Sequence, residues 1–191
     1  MDISRLTALQ ATSQLPGLAA LLQDAVASGA SVGFLPPLSA EEALAYWQEV
    51  IAAVPLRYAS GTIRLGSASG TMVVAGPDRL LLIAQVDGGV AGTVQLHLVS
   101  TPNGRHRAEV AKLLVHTRHR RQGLGRALML AVEAEARHAG RTTLVLDTRL
   151  GEPSEQLYLS LGYSRAGAIP DYARSADGTL HTTVIMYKLL K

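Results

Sequence analysis

Two β-like runs, Leu80 to Val86 and Val90 to Val99, are separated only by Asp87-Gly88-Gly89. That connection supplies the positive φ angles of a tight turn, so the two runs pair antiparallel as a hairpin. A Thr101-Pro102-Asn103-Gly104 turn follows. Ala108, Val110, Leu113 and Val115 then mark a further strand over Arg107 to Val115. Three consecutive antiparallel strands result.

The flanks of this meander read differently. Residues 3 to 10 are expected as a short strand. Leu15, Leu18, Ala19, Leu22 and Val26 then recur on one helical face, with Gly29 as a stop. After Pro36-Pro37 breaks the chain, Ser39 and Glu42 have capping-box spacing. Ala43, Tyr46, Trp47, Val50 and Ile51 continue at helical period, and Pro55 limits that helix. Residues 58 to 79, rich in Gly, Ser and Ala, are expected to be irregular, with a weak edge strand at Met72 to Val74. Beyond the meander, Leu124, Ala127, Leu128, Ala131 and Val132 form an apolar helical stripe that ends at Gly140. Glu133 and Arg137 are expected to pair on its surface. Thr142 to Leu146 is a strand ending in Asp147, and Pro153 to Leu161 is a short helix closed by Gly162. Tyr163 to Ala166, a Pro170-Asp171 turn and a strand from His181 to Lys188 complete the chain. This order predicts a mixed α/β (α+β) fold.

Length and composition bound the remainder. A chain of 191 residues, 48% hydrophobic and 17% charged, reads as one globular domain spanning 1 to 191. With no cysteine, disulfide frameworks, thiolate metal sites and cysteine nucleophiles are excluded. The N-terminus lacks a basic n-region and apolar h-region, and no apolar run reaches the ~20 residues of a membrane span, so a cytoplasmic location is expected. The histidines show no metal-ligand spacing, and no metal is expected.

The net charge of +3 conceals a cluster of arginines at 105, 107, 118, 120, 121 and 126. A strand, a basic Gly123-Leu124-Gly125 loop and a helix in succession form a phosphate-binding arrangement. Glycines let the backbone approach the ligand, and free N–H groups at the helix start add about half a positive charge. A Gly-x-x-x-x-Gly-Lys-Ser/Thr loop is absent. The dinucleotide fingerprint is a rival, since Asp147 closes the next strand at about the distance of a ribose-binding acid. Against it, Leu128 occupies the third glycine position, and the approach from Val115 to Gly123 is long. A nucleic-acid-binding domain ranks lower, because aromatic content is only 4% and no binding-module motif accompanies the charge.

The string Val115-His-Thr-Arg-His-Arg120-Arg121-Gln122-Gly123-Leu124-Gly125-Arg126-Ala-Leu-Met129 resembles motif A of the GNAT N-acetyltransferases, Gln/Arg-x-x-Gly-x-Gly/Ala. Leu157-Tyr158-Leu-Ser-Leu161-Gly162-Tyr163 is similar to that superfamily's closing Leu-Tyr-x-x-x-Gly-Phe/Tyr element. Ala30 to Phe34, Pro102-Asn-Gly104, Arg107 to Leu113, Leu146-Asp147-Thr148 and Asp177 to Thr183 further resemble the tabtoxin-resistance branch, which acetylates an amino-acid-like toxin. Gly151 stands where the superfamily usually carries an Asn that opens the short helix.

The resemblance implies a largely antiparallel central sheet flanked by helices and splayed between the fourth and fifth strands. It also implies acetyl-CoA as co-substrate. Pantetheine would pair with the backbone near Leu113, Leu114 and Val115. The pyrophosphate would lie on the main chain of Gln122, Gly123, Leu124, Gly125 and Arg126, with Arg120 and Arg121 nearby. Amine acetylation needs a base, for which Glu109 and Asp147 match the acids of the tabtoxin-resistance branch. The leaving thiolate needs an acid, and Tyr158 holds that motif position. For the acceptor, a small-molecule amine, Tyr172 and Arg174 are candidates in a loop between the last two strands. Tyr46 and Trp47 are candidates at a cleft edge, although the tryptophan is first expected in the core. Neither a nucleic-acid nor a membrane partner is expected, and oligomeric state stays open.

Overall fold

The structure is a computed structural model and describes residues 2–56 and 78–191. Strand β1 (Asp2–Leu6) is followed by helices α1 (Ala8–Ser13), α2 (Leu15–Ala27) and α3 (Ala40–Ala52). The meander is β2 (Arg79–Val86), β3 (Gly89–Leu98) and β4 (Arg107–Val115), and then come α4 (Leu124–His138), β5 (Thr143–Arg149) and α5 (Pro153–Ser160). Strands β6 (Ser164–Arg174) and β7 (Leu180–Leu189) close the chain. The expected irregular stretch and its Met72 to Val74 strand lie outside the described residues, except for Asp78 and Arg79, where β2 begins.

Local chemistry explains most boundaries. The expected strand over 3 to 10 stops at Leu6 because Thr7 caps α1: its side chain accepts from Gln10 N, and the Gln10 side chain accepts from Thr7 N. The reciprocal box of Ser39 and Glu42 starts α3 as expected. In the β2–β3 hairpin Asp87 and Gly88 alone take positive φ, 50° and 79°, while Gly89 already belongs to β3. Both φ values being positive suits the twist of the two strands.

All seven strands form one sheet in the order β1-β2-β3-β4-β5-β7-β6, and only β4 and β5 run parallel. Along β2, Leu81 and Ile83 face α2 and α3, whereas Leu80, Leu82 and Ala84 face the α4 side. The strand is buried on both faces, so it reads as a continuous apolar run. The β4–β5 ladder holds only at Arg107↔Thr143, Ala108↔Leu144 and Glu109↔Val145. From Val110 onward the two strands part, as the expected splay requires. Opposite β3, the register shifts between Thr93 and Gln95, and Lys112 at that bulge has φ 50°.

Three expectations need correction. No turn forms at Pro170-Asp171, because β6 runs through it with a register shift between Ile169 and Ala173 and φ 53° at Asp171. A proline lacks a ladder donor, and an edge strand tolerates this at a bulge. The chain turns instead at 175 to 179, where Ser175 N donates to Thr179 O. Strand β5 continues past Asp147 to Arg149. Glu133 does not lie on the surface: it is 2% exposed, and Lys188 Nζ donates to both its oxygens, with Arg137 only at 3.9 Å.

Candidate functional site

The arginine-rich loop is braced from outside. Thr117 donates from N and Oγ1 to the Asp24 carboxylate of α2 at 2.8 and 2.7 Å. Burial opposes charge on Asp24, yet those bonds, with His116 and Arg120 nearby, hold its carboxyl below the usual range. Arg120 donates to Val115 O at 3.1 Å and to Ser28 Oγ at 2.6 Å. Arg120 therefore ties the end of β4 to α2, beyond lending charge. Gln122 turns its amide back to Arg118 O at 3.0 Å.

The loop ends at Gly123, the N-cap of α4, with φ 84°. Arg121 before it also has positive φ, 62°. Nothing caps the α4 terminus with a side chain, so its first N–H groups face the cleft open to a ligand. A Cβ on Gly125 would stand 3.3 Å from Leu157 Cδ2 and 3.8 Å from Val115 Cγ2. A glycine there lets α4 sit close against α5 and the end of β4.

A cleft of about 1330 Å³ runs from this helix terminus into the gap between β4 and β5. That volume exceeds the range usual for drug-sized ligands and suits an elongated one. Leu113, Leu114, Val115, Arg120, Arg121, Gly123, Leu124, Gly125 and Arg126 line its loop end, and Arg126 also donates to Ser160 Oγ on α5. Glu109, Asp147 and Tyr158 line the same cleft. Glu109 occupies the last paired position of β4, and Asp147 lies two residues beyond the last paired residue of β5. Both are solvent-exposed, at the fork rather than at strand ends. Tyr158 is 6% exposed, and burial, helped by the Asp147 charge, pushes its phenol well above the usual range. It remains protonated at neutral pH and is a weaker acid than a solvated phenol.

The profile of the acetyltransferase (GNAT) family matches residues 46–163. The chain belongs to the GNAT family. An uncharacterized N-acetyltransferase in the hisH-hisA intergenic region of Azospirillum brasilense is 31% identical over 151 residues, 78% of this chain and 76% of that protein. N-acetyltransferase 8 of Rattus norvegicus is 36% identical over 87 residues, 44% of this chain, and the match spans only 39% of that relative. Among solved structures, the ribosomal-protein-alanine N-acetyltransferase of Brucella melitensis superposes with TM-score 0.73 at 20% identity over the whole of both chains. YncA of Salmonella typhimurium, solved with its cofactor acetyl-CoA, gives 0.70 at 19% identity, covering 100% of this chain and 94% of that one. At such identities these two likenesses speak for the fold.

This GNAT enzyme is an acetyl-CoA-dependent N-acetyltransferase. The residues present fit that co-substrate: the uncapped α4 terminus and its arginines suit a pyrophosphate, and the unpaired β4 edge suits pantetheine amides. The dinucleotide reading falls, because a doubly wound fold needs a parallel sheet and only one pair here is parallel.

Other expected residues scatter. Trp47 is corrected from cleft edge to core: it is 0% exposed among α2, α3, Leu81 and Ile83. Tyr46 does not reach the cleft wall. It stands behind Phe34, which does, at 5.3 Å between rings, and its hydroxyl accepts from Gln95 Nε2 at 3.0 Å. Tyr172 and Arg174 line the cleft, but from β6 rather than from a loop. Gly151 has φ 81°, and its N–H donates to the buried Glu155 at 2.8 Å, which anchors the turn into α5 without an asparagine.

Two cleft residues had no assigned role. Lys112 interrupts the apolar stretch Val110 to Val115 of β4, and that sequence contrast was the available signal. Arg149, at the end of β5, donates to Ser175 Oγ and stands 3.6 Å from Glu152, and no local pattern pointed to it. Among the described residues no group of three or more His, Asp or Glu could hold a metal, and no helix is long and apolar enough to cross a membrane.

Proposed function

We propose that this GNAT enzyme transfers acetyl from acetyl-CoA to the amine of a small, amino-acid-like molecule, such as an antibiotic or toxin of that type. Carboxylate bases and a tyrosine acid serve the transfer. The observation that carries the reading is the meeting of Glu109, Asp147 and Tyr158 in one cleft, at the fork where β4 and β5 part. We take the 191 residues as one catalytic domain acting in the cytoplasm. The resemblance of Arg107 to Leu113 and Leu146 to Thr148 to the tabtoxin-resistance branch favours the amino-acid-like acceptor.

Acetyl-CoA, when bound, supplies an acetyl group activated as a thioester. The α4 terminus and the backbone of Gln122 to Arg126 hold its pyrophosphate, while Leu113 to Val115 align pantetheine along the open edge of β4. A β4 backbone N–H beside the reacting carbonyl takes up developing negative charge. An ammonium ion cannot attack, so Glu109 or Asp147 withdraws a proton from the acceptor nitrogen, directly or through water. Both carboxylates are solvent-exposed in the cleft wall, where an acceptor nitrogen or a bridging water can reach them. As the C–S bond breaks, Tyr158, kept protonated by burial, gives its proton to the departing sulfur, and the second proton shed by the acetylated nitrogen restores the phenol.

The test is thiol release from acetyl-CoA against a panel of small amines, beginning with amino-acid-like ones. Saturable release with at least one amine is expected, with losses of roughly 10²- to 10⁴-fold in kcat when both Glu109→Gln and Asp147→Asn are made. Absence of release with every amine, together with no thermal shift by coenzyme A, refutes the reading.

A further inference from the structure

We propose that Lys112 anchors a carboxylate of the acceptor, so that the amine accepted at Glu109 and Asp147 belongs to a molecule carrying its own anion. The inference rests on the acceptor reading above and names the residue that selects for it.

Lysine is an expensive choice where Lys112 stands, partly buried in the apolar stretch Val110 to Val115 of β4. The bulge with φ 50° takes it out of the strand's alternation. Its Nζ lies 5.9 Å from the centroid of the Tyr46 ring, close enough for a cation–π contact. Tyr46 is itself fixed by Gln95 and by ring contacts with Phe34 and Trp47. A Cβ on Gly33 would come within 3.7 Å of Nζ, so the facing loop leaves the ammonium space.

What the ammonium lacks is an anion. Among the described residues no oxygen stands within ion-pair distance of it. Asp147 and Glu109 act on it only through space and only partly offset the burial that pulls its pKa down. Three other cations around the cleft are committed: Arg120 to Val115 O and Ser28, Arg126 to Ser160, Arg149 to Ser175 and Glu152, while Arg121 is exposed at the loop end assigned to the pyrophosphate. Arg174 is exposed on the edge strand. A half-buried cation without an ion-pair partner, its burial only partly offset by two nearby bases, favours a zwitterionic acceptor. Its ammonium approaches Glu109 and Asp147 while its carboxylate completes Lys112. A site built around such a pairing discriminates against an analogue that lacks the anion, because Lys112 is then left unpaired.

The experiment uses the full chain, acetyl-CoA, a set of α-amino acids each matched to its α-carboxamide, and a set of alkylamines that carry no carboxylate. Rates are expressed per unprotonated amine, since amidation changes the amine's basicity. For wild type, kcat/KM is expected to favour the acid over its amide by roughly 10- to 100-fold. Lys112→Met, which keeps the aliphatic stem, should bring that ratio close to one, and Lys112→Arg should restore part of it. Equal treatment of acids and amides by wild type overturns the inference, as does a Lys112→Met variant that loses both equally. The wild-type ratio needs no variant, so failure of Lys112→Met to fold leaves the test intact. Turnover of carboxylate-free amines alone sinks the anchor while the transferase reading stands. No turnover of any amine sinks both.

Discussion

Lys188→Met should be among the most destabilising single changes outside the cleft. Lys188 Nζ donates to the two Glu133 oxygens at 2.8 and 2.7 Å and to Leu161 O at 2.7 Å. The Glu133 side chain is 3% exposed and that of Lys188 18%, so removing the lysine strands a buried carboxylate. Breaking such a pair typically costs about 3–5 kcal/mol. Arg137, 46% exposed at 3.9 Å, recovers at most about 1 kcal/mol in that solvated position. A net loss of about 2–4 kcal/mol is expected, a large share of a typical domain's stability. The double variant Glu133→Leu/Lys188→Met removes both charges and should recover to within about 1–2 kcal/mol of wild type, the residue being the unpaired Leu161 carbonyl. Urea unfolding followed by far-UV circular dichroism, with slopes compared for each variant, measures the cycle. A single variant that loses less than about 1 kcal/mol, or a double variant as unstable as the single, refutes the claim that an uncompensated Glu133 charge causes the loss. Leu161 follows directly on α5, which carries Tyr158, so the unfolding cycle also probes the scaffold of the active site.

Tyr158→Phe should lower kcat by roughly 10²-fold with little change in the KM for acetyl-CoA, and steady-state thiol release with unaltered turnover would remove Tyr158 from proton donation. Gly123→Ala places a side chain at φ 84° in open space, so its cost of about 1–2 kcal/mol arises from backbone conformation alone. If the loop relaxes to avoid that cost, the α4 N–H groups turn and coenzyme A binding by calorimetry should weaken by roughly tenfold. An unchanged affinity would separate the α4 terminus from the pyrophosphate. Burial, with Arg79 and Lys112 nearby, holds the His97 imidazole at about 4, below its ordinary 6.5. Below pH 6.5 the unfolded chain takes up this proton before the native one does. His97 therefore contributes fully above that pH and progressively less down to about pH 4. Allowing for its partial exposure, about 1–2 kcal/mol should separate wild type from His97→Gln across that window in pH-dependent urea unfolding. Parallel curves would show that His97 titrates normally.

Much of the molecule was legible from neighbouring residues alone. The Asp87-Gly88 hairpin, the Ser39–Glu42 cap, the stripe of α4 and the glycines at its start all express preferences that act within a few bonds or one helical turn. The same locality made the donor-binding loop and the Tyr158 element readable in order, and with them the family. What needed the folded chain was the fate of charges and edges. Glu133 looked like an exposed helix partner for Arg137, and only the arrival of Lys188, 55 residues away, makes it a buried ion pair. Thr7's cap cut the first strand short, and an edge position let β6 carry Pro170 without turning. Trp47 and Tyr46 are adjacent in sequence, yet packing buries one completely and stands the other behind Phe34. Lys112 was one lysine in the apolar stretch Val110 to Val115 until the bulge, the Tyr46 ring and the fork of β4 and β5 gave it a cleft, with no ion-pair contact among the described residues. Local sequence dictates conformation over a few residues, whereas burial and charge pairing depend on which distant segments the sheet brings together.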